Sequence, residues 1–152
     1  MAAPRILVMG VGNVLMGDEG VGVHAVRLLE QRAWPAGVAL LDGGTGGFHL
    51  LGPMQEAGRI VLVDATADGA PPGTVRRLTP RFASDYPRTL TAHDIGLKDL
   101  LDAFHLLGRT PAVTLFTVSI VWPGGIGTEL SPAVAAAVPE VARRVRAELV
   151  AG

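Results

Sequence analysis

The sequence predicts an α/β domain with a mostly parallel β-sheet that is covered by helices on both faces. Short apolar runs alternate with segments of helical periodicity along the chain, which is the pattern that parallel strands and their crossover helices produce. The first three apolar runs end at glycine or aspartate, as strands do at turns. With 152 residues the chain has the length of one domain, and we expect residues 1–152 to form a single unit.

Strands are predicted wherever a short apolar run meets a turn signal. Three such runs occur in the first half of the chain, and one rich in Val, Thr and Phe follows in the second half: residues 5–9, 38–41, 60–63 and 112–121. Residues 74–78 are predicted to add another strand. Residues 81–92 have no clean period and are predicted to be loop.

Helices are predicted from apolar side chains at helical spacing. They cover residues 23–33, 48–56, 95–107 and 131–149, the first of them after a glycine-rich loop over residues 10–22. Trp34-Pro35 should end the first helix, and Gly52-Pro53 should break the second. Asp94 can cap the third helix and Gly108 can end it. Ser131-Pro132 is a typical start for the fourth, in which Pro139 should introduce a kink.

The charge balance and the missing cysteines exclude several classes of site. Thirteen basic and fourteen acidic side chains give a net charge of −1, so we expect no nucleic-acid partner. The absence of cysteine excludes disulfides, thiolate zinc sites and iron–sulfur clusters, and leaves histidine and carboxylate as metal ligands. Residues 112–123 form the longest mostly apolar stretch, too short to cross a bilayer, and residues 1–10 lack a signal-peptide pattern. We expect a soluble cytoplasmic protein without membrane insertion.

Three polar side chains fall where the carboxyl ends of parallel strands meet. Glu19 lies in the loop after the first strand, Asp64 follows the third strand, and His93 precedes the third helix. Ligands bind at this edge of an open α/β sheet. Two carboxylates and an imidazole can hold a divalent metal with open positions, or can carry out acid–base hydrolysis. Taken singly, Glu19 can instead complement a helix dipole, Asp64 can be a cap and His93 a surface residue.

A second candidate segment, Asp42-Gly43-Gly44-Thr45, follows the second strand. Its glycines permit backbone conformations closed to other residues, so a partner chain can approach closely, although a simple turn explains the segment better when it is taken alone.

Nucleotide binding is disfavoured. Leu15 stands where the dinucleotide fingerprint has its third glycine, and Asp18-Glu19 would repel a phosphate.

Residues 10–22 read Gly-Val-Gly-Asn-Val-Leu-Met-Gly-Asp-Glu-Gly-Val-Gly. Shorter blocks follow over nearly the whole chain: Asp42-Gly43-Gly44-Thr45, Val63-Asp64-Ala65, Pro72-Gly73-Thr74, Thr91-Ala92-His93 and Leu130-Ser131-Pro132. With these motifs, in this order, the chain resembles the hydrogenase maturation proteases. These are the endopeptidases that process the large subunit of nickel–iron hydrogenases.

The resemblance implies a three-layer α/β/α sandwich around a mostly parallel twisted sheet. It implies an endopeptidase that removes the C-terminal extension of a large-subunit precursor already loaded with its nickel–iron centre. The nickel belongs to this precursor, the expected partner, so we expect no permanently bound cofactor. The resemblance makes Glu19, Asp64 and His93 the metal contacts and catalytic residues. It makes four residues of the second candidate segment the substrate-binding residues: Asp42, Gly43, Gly44 and Thr45.

The resemblance and the three polar residues together lead to a mechanistic hypothesis. The nickel docks the precursor, and the metal or a neighbouring carboxylate activates water for attack on the carbonyl of the scissile bond. Asp18, Asp42 and Asp64 are all candidates for the general base. Two other functions stay open at this point. One is a metal-dependent amidase or peptidase that carries its own ion and acts on another substrate, and the other is a non-catalytic module that binds the precursor.

Overall fold

Within the residues that the structure describes, five strands form one sheet, which four α-helices and three 3₁₀ turns connect. The structure is a computed structural model that describes residues 6–44, 46–90, 97–108, 111–121 and 125–151, with the backbone alone at residues 47, 48, 83, 97, 98, 105 and 151. The strands are β1 (Ile6–Val11), β2 (Val38–Gly44), β3 (Arg59–Thr66), β4 (Val75–Leu78) and β5 (Ala112–Ser119). The helices are α1 (Val21–Leu29), α2 (Leu51–Glu56), α3 (Leu97–Leu106) and α4 (Pro132–Ala151). The 3₁₀ turns span Gly17–Gly20, Gly47–Leu50 and Ala83–Asp85.

The strands lie in the order β2-β1-β3-β5-β4. β1 runs parallel to both β2 and β3, and β3 runs parallel to β5. β4, the strand expected at residues 74–78, pairs antiparallel with β5 at the edge of the sheet. The prediction of a mostly parallel sheet is confirmed.

Apolar side chains cover both faces of this sheet. Along β3, Ile60 and Leu62 lie in one apolar cluster with residues of α2 and α3, whereas Val61 and Val63 lie in a second cluster with residues of α1 and α4. This alternation is what a strand buried on both faces produces. The three-layer α/β/α sandwich is therefore confirmed.

The first helix differs from its prediction at both ends. α1 begins at Val21, because the last part of the predicted loop folds into the 3₁₀ turn Gly17–Gly20 and leads directly into the helix. It ends at Leu29 rather than near Ala33. The Leu29 carbonyl oxygen, one of those at the end of the helix, accepts the Arg32 N–H at 3.2 Å and the Trp34 indole N–H at 2.9 Å.

Two prolines lie inside helices without ending them. Pro53 is the third residue of α2, where a backbone N–H would have no intrahelical partner, so the break predicted at Gly52-Pro53 does not occur. α4 begins at Pro132 as predicted and continues past Pro139. No helix in the described part of the chain is both long and apolar enough to cross a membrane.

β3 extends to Thr66, so Asp64 lies within the strand and not at its end. The longer strand is explained by its neighbours. β1 pairs with β3 only as far as Val63, whereas β5 pairs with it as far as Thr66.

The described residues after β4, 79–90, are mostly loop, with the short 3₁₀ turn Ala83–Asp85 among them, and the rest of the loop predicted over residues 81–92 lies outside the described residues. α3 starts at Leu97 in the structure, and its proposed cap Asp94 lies outside the described residues. Gly108 follows α3 with a φ of +70°, the left-handed conformation in which glycine ends helices.

Candidate active site

The carboxyl edge of the sheet brings the end of β1 beside β3. These two strands pair as far as Gly10 and Val63, so Asp64 is the first residue of β3 beyond that pairing. After β1 the chain folds back through the 3₁₀ turn Gly17–Gly20, which contacts β3. The turn that carries Glu19 therefore lies against the strand that carries Asp64.

Glycine at two positions lets α1 begin directly against the strands. A Cβ atom at Gly10 would lie 2.1 Å from the Gly22 carbonyl oxygen, and one at Gly22 would lie 2.3 Å from the Val63 carbonyl oxygen. Any larger residue would push the helix away from the sheet. These glycines therefore set how closely the start of α1 approaches β1 and β3.

Glu19 is held by the backbone that precedes and follows it. A Cβ atom at Gly12, where φ is +129°, would lie 2.0 Å from the Glu19 carbonyl oxygen, and one at Gly20 would lie 2.7 Å from the Val14 Cα. The Glu19 N–H donates to the Met16 carbonyl oxygen at 3.3 Å. Glu19 is only 4% exposed, and it has an interaction partner in the fold. Such a partner is needed because burying a carboxylate without one costs much free energy.

Asp64 is completely buried, with 0% of its surface exposed. Because side chains alternate along a strand, it lies on the same face of the sheet as Leu62, the face that α2 and α3 cover. Asp64 too has an interaction partner. The interpretation of Asp64 as a cap at the end of a strand does not fit, since β3 continues to Thr66.

Two of the predicted site residues, His93 and Thr45, lie outside the described residues. Among the residues that the structure does describe, no group of three His, Asp or Glu side chains could hold a metal ion. The structure thus places two members of the predicted three-ligand set, Glu19 and Asp64, on neighbouring elements, and the third stays a prediction.

The described chain reaches Leu90, three residues before His93. Leu90 forms an isolated bridge with Thr66, two residues beyond Asp64. The hydroxyls of Thr66 and Thr89 are hydrogen-bonded at 2.5 Å. The chain that leads to His93 is therefore anchored at the end of β3.

The segment Asp42-Gly43-Gly44 ends β2 beside the exit of β1. The Asp42 carboxylate accepts a hydrogen bond from Arg27 of α1 at 3.2 Å, and its side chain is 37% exposed. The Gly44 carbonyl oxygen accepts the Gly12 N–H at 2.9 Å. The second candidate segment thus borders the loop that carries Glu19, and it presents a solvent-accessible carboxylate.

Asp18, the neighbour of Glu19 in the 3₁₀ turn, is bound to the start of α4. The Ser131 N–H donates to Asp18 Oδ1 and the Ser131 hydroxyl donates to Asp18 Oδ2, both at 2.7 Å. The sequence predicts Ser131 as a helix cap, but it gives no sign of this partner 113 residues earlier. Sequence reasoning therefore missed the contact between the two loops.

Comparison with known proteins identifies the family. A model of the family "hydrogenase maturation protease" matches residues 23–148. The hydrogenase expression/formation protein HupD of Rhodobacter capsulatus is 39% identical over 153 residues, which cover 94% of this chain and 72% of that protein. The hydrogenase 2 maturation protease of Escherichia coli K12 is 40% identical over 110 residues, which cover 70% of this chain and 67% of that protein. The match to HupD of Thiocapsa roseopersicina, at 41% identity, covers 71% of this chain but only 50% of that protein.

Solved structures agree with the sequence matches. The hydrogenase maturating endopeptidase HybD from E. coli gives a TM-score of 0.86 at 37% identity, covering 95% of this chain and 91% of that one. The [NiFe] hydrogenase maturation protease HybD from Thermococcus kodakarensis gives a TM-score of 0.75 at 27% identity, covering 93% of this chain and 97% of that one. The fold, the family match over most of the chain and the relatives near 40% identity all agree. The chain therefore belongs to the hydrogenase maturation protease family, a family of peptidases.

Proposed function

We propose that this chain removes the C-terminal extension of a nickel–iron hydrogenase large-subunit precursor after the precursor has received its nickel. The observation that carries the proposal is the placement of two buried carboxylates, Glu19 and Asp64, on a turn and a strand in contact, within a chain of this family. The precursor supplies the metal, so the resting enzyme holds no ion of its own. The cytoplasmic location stays a prediction from the sequence.

Glu19, Asp64 and His93 bind the nickel of the docked precursor in this proposal. Carboxylate oxygens and an imidazole nitrogen suit a divalent ion of borderline hardness. The anchoring of Leu90 at the end of β3 supports the inclusion of His93. Three residues of extended chain span at most roughly 11 Å, which limits how far His93 can lie from that anchor.

Docking through the metal brings the scissile peptide bond to the same edge of the sheet. Water then attacks the carbonyl carbon, activated by the precursor's metal or by a neighbouring carboxylate. The acyl carbon gains the hydroxyl, the C–N bond breaks, and the proton passes to the leaving amine. Asp18, Asp42 and Asp64 stay the candidates for the general base, and both oxygens of Asp18 already accept hydrogen bonds from Ser131.

The segment from Asp42 to Thr45 binds the precursor chain near the scissile bond in this proposal. Gly43 and Gly44 present backbone without side chains, which allows an extended peptide to approach closely. The hydrogen bond from the Gly12 N–H to the Gly44 carbonyl supports this assignment, because it holds the segment beside the loop of Glu19.

Intact-mass spectrometry tests the function directly. A candidate large-subunit precursor is incubated with the protein in nickel-loaded and nickel-free form, side by side. Loss of a C-terminal peptide from the loaded form alone is the expected result. Cleavage of both forms would retain the protease but contradict nickel as the recognition signal. Stable capture of the loaded precursor in a pull-down, without any loss of mass, would identify a binding module instead.

The metal content of the resting protein separates this function from that of a metallopeptidase with its own ion. Purified protein, dialysed and analysed for metals, is expected to contain far less than one nickel or zinc per chain. Stoichiometric metal that survives dialysis would favour an amidase or peptidase acting on another substrate.

A further inference from the structure

The 3₁₀ turn Gly17–Gly20 carries two adjacent acids in different surroundings. Glu19 is buried, whereas Asp18 reaches the start of α4 and accepts both the N–H and the hydroxyl of Ser131 at 2.7 Å. The charge of Asp18 thus lies at the N-terminus of a helix, where the helix dipole favours an anion. Both of its oxygens accept hydrogen bonds from Ser131, so Asp18 joins the turn to the start of the helix.

The same turn is joined to the segment before α4 through its backbone. The Gly17 N–H donates to the Gly127 carbonyl oxygen, and the Gly127 N–H donates to the Leu15 carbonyl oxygen, both at 2.8 Å. In the described structure, two contacts therefore join the segment of residues 125–131 to the turn: the hydrogen bond at Gly127 and the contact of Ser131 with Asp18.

On its other side the turn lies against the exit of β1. The Glu19 carbonyl oxygen is so close to Gly12 that a Cβ atom there would lie 2.0 Å away. The backbone of Glu19 is consequently held between two supports, Gly12 on one side and the segment of residues 125–131 on the other. Removing the carboxylate of Asp18 would loosen one support and leave the other in place.

We propose that Asp18 is a positioning residue for the maturation reaction, which acts together with Ser131 to fix the turn that presents Glu19 to the precursor's metal. The inference rests on the proposed function, because it requires Glu19 to take part in cleavage. Catalytic geometry tolerates little displacement, since a shift of about 1 Å can lower a rate roughly 100-fold. Asp18 contacts neither the peptide nor the metal in this scheme, and its effect passes through the backbone.

A set of variants measures the contribution of this contact. Asp18→Ala removes both hydrogen bonds, Ser131→Ala removes the one from the hydroxyl, and Ser131→Thr keeps a hydroxyl. With loaded precursor, we expect Asp18→Ala to lower kcat roughly 10- to 100-fold and to leave KM within about threefold of the wild-type value. The reason is that a displaced Glu19 weakens the stabilisation of the transition state more than the binding of the precursor. Ser131→Ala should lose less, and Ser131→Thr should recover most of the wild-type rate.

Asp85→Ala is the matched control. Like Asp18, Asp85 accepts two hydrogen bonds, but these come from the backbone N–H groups of Arg81 and Phe82, at 3.0 and 2.9 Å, and Asp85 lies in the loop after β4. Its variant is expected to cleave at the wild-type rate. All assays are run where circular dichroism shows every variant fully folded, so that a purely structural role would leave kcat unchanged.

Two results would overturn the proposal. One is a kcat for folded Asp18→Ala no lower than that of the Asp85→Ala control. The other is the disappearance of the acid limb of the kcat–pH profile in Asp18→Ala, because such a loss would identify Asp18 as the general base.

Hydrogen exchange keeps the test independent of the substrate. The amides of Gly17 and Glu19 are expected to exchange at least roughly tenfold faster in Asp18→Ala, while amides of β1 and β3 keep their wild-type rates. Unchanged exchange at the turn would contradict the proposal. A wild-type protein that cleaves no precursor would refute the proposed function, and the exchange data would still decide whether Asp18 holds the turn.

Discussion

At the scale of single residues, the glycines between β1 and α1 are explained by contacts of the backbone. Gly10 and Gly22 allow the start of α1 to touch the ends of β1 and β3, and Gly12 allows the turn of Glu19 to fold back over the exit of β1. The sequence predicts a loop from these glycines, but not which carbonyls they face. Those partners depend on strands that are distant in the chain.

Replacing Gly22 by alanine is expected to lower the free energy of unfolding by roughly 1–3 kcal/mol, because a Cβ atom 2.3 Å from the Val63 carbonyl oxygen forces the helix to move. Urea unfolding followed by circular dichroism measures the change. Gly52→Ala in α2 is the control. A Cβ atom there meets nothing within 4 Å, so this variant should gain about 0.5–1 kcal/mol from the better helix propensity of alanine. Equal stability of wild type and Gly22→Ala would contradict the close contact.

Glu19→Gln and Asp64→Asn keep the size of each side chain and remove its charge. Each is expected to lower kcat/KM for the loaded precursor at least roughly 100-fold, since a preorganised charge at the reacting centre is lost. Mass spectrometry of timed samples gives the rates. Glu140→Gln is the control, because Glu140 pairs with Arg143 and Arg144 on the surface of α4.

If Glu19→Gln, Asp64→Asn and His93→Ala all cleaved at the wild-type rate, the site assignment would be wrong. Loss of activity in Glu140→Gln as well would point to a general effect of lost acidic charge.

Glu19 and Asp64 could be selected from the sequence because a parallel sheet collects the carboxyl ends of its strands at one edge. Asp18 could not be separated from Glu19 in the same way. Two neighbouring acids in a loop give no indication of which one is buried and which one reaches a distant helix. That distinction comes from the packing of α4, because Ser131, the residue before this helix, donates to both oxygens of Asp18.

At the scale of elements, α4 is tied to two strands by one carboxylate. Arg77 of β4 donates to Glu148 twice, from Nε at 2.9 Å and from Nη2 at 2.7 Å, and Arg59 of β3 donates to it as well. The Glu148 side chain is 16% exposed. Because β5 lies between β3 and β4, this cluster spans three adjacent strands from the helix side of the sheet.

Glu148→Gln is expected to lower the free energy of unfolding by about 1 kcal/mol at neutral pH, a modest value because solvent screens Arg77. The hydrogen bonds and positive charge of Arg77 lower the pKa of Glu148 below its ordinary 4.5. A carboxyl with a lowered pKa stabilises the fold above its unfolded value and loses this effect as the pH falls through its folded value. The difference between wild type and variant should therefore shrink below about pH 4.5.

Urea unfolding at several pH values gives this comparison. Glu56→Gln, at the exposed end of α2, is expected to differ from wild type by less than about 0.5 kcal/mol at any of them. A Glu148→Gln difference that stayed constant in acid would show that the carboxylate charge contributes nothing.

The existence and type of these elements could be predicted, whereas several of their ends could not. Periodicity continues beyond Leu29, but the helix stops there and the Trp34 indole binds the Leu29 carbonyl. Gly52-Pro53 has the composition of a break, yet Pro53 falls in the first turn of α2, where proline is tolerated. In both cases the deciding contact or position is known only once the helix start and its neighbours are placed.

At the scale of the whole molecule, the two apolar clusters lie on opposite faces of one sheet and share its strands. We expect a single cooperative unfolding transition, which would support the prediction that residues 1–152 form one unit. Far-UV circular dichroism, near-UV circular dichroism and tryptophan fluorescence should give coincident curves in urea. Two separated transitions would contradict a single domain.

The layers of the fold follow from the alternation of strands and helices, but the order of the strands does not. Nothing in the apolar runs at residues 60–63 or 112–121 shows that β5 lies between β3 and β4. That order is set by how the connections cross the sheet. The antiparallel direction of β4 could not be predicted from the sequence either, since an edge strand has the same local pattern in either direction.

The position of β5 has a consequence for how the chain is made. Among the described strands β4 pairs with β5 alone, and β5 comes later in the chain, so β4 leaves the ribosome before its neighbour exists. Until residues 112–119 have been synthesised, β3 exposes an open backbone edge and β4 has no strand to join. We therefore expect a nascent chain stalled before that point to present a hydrogen-bonding edge to other chains, and the synthesis of β5 to close that edge and to provide the partner of β4.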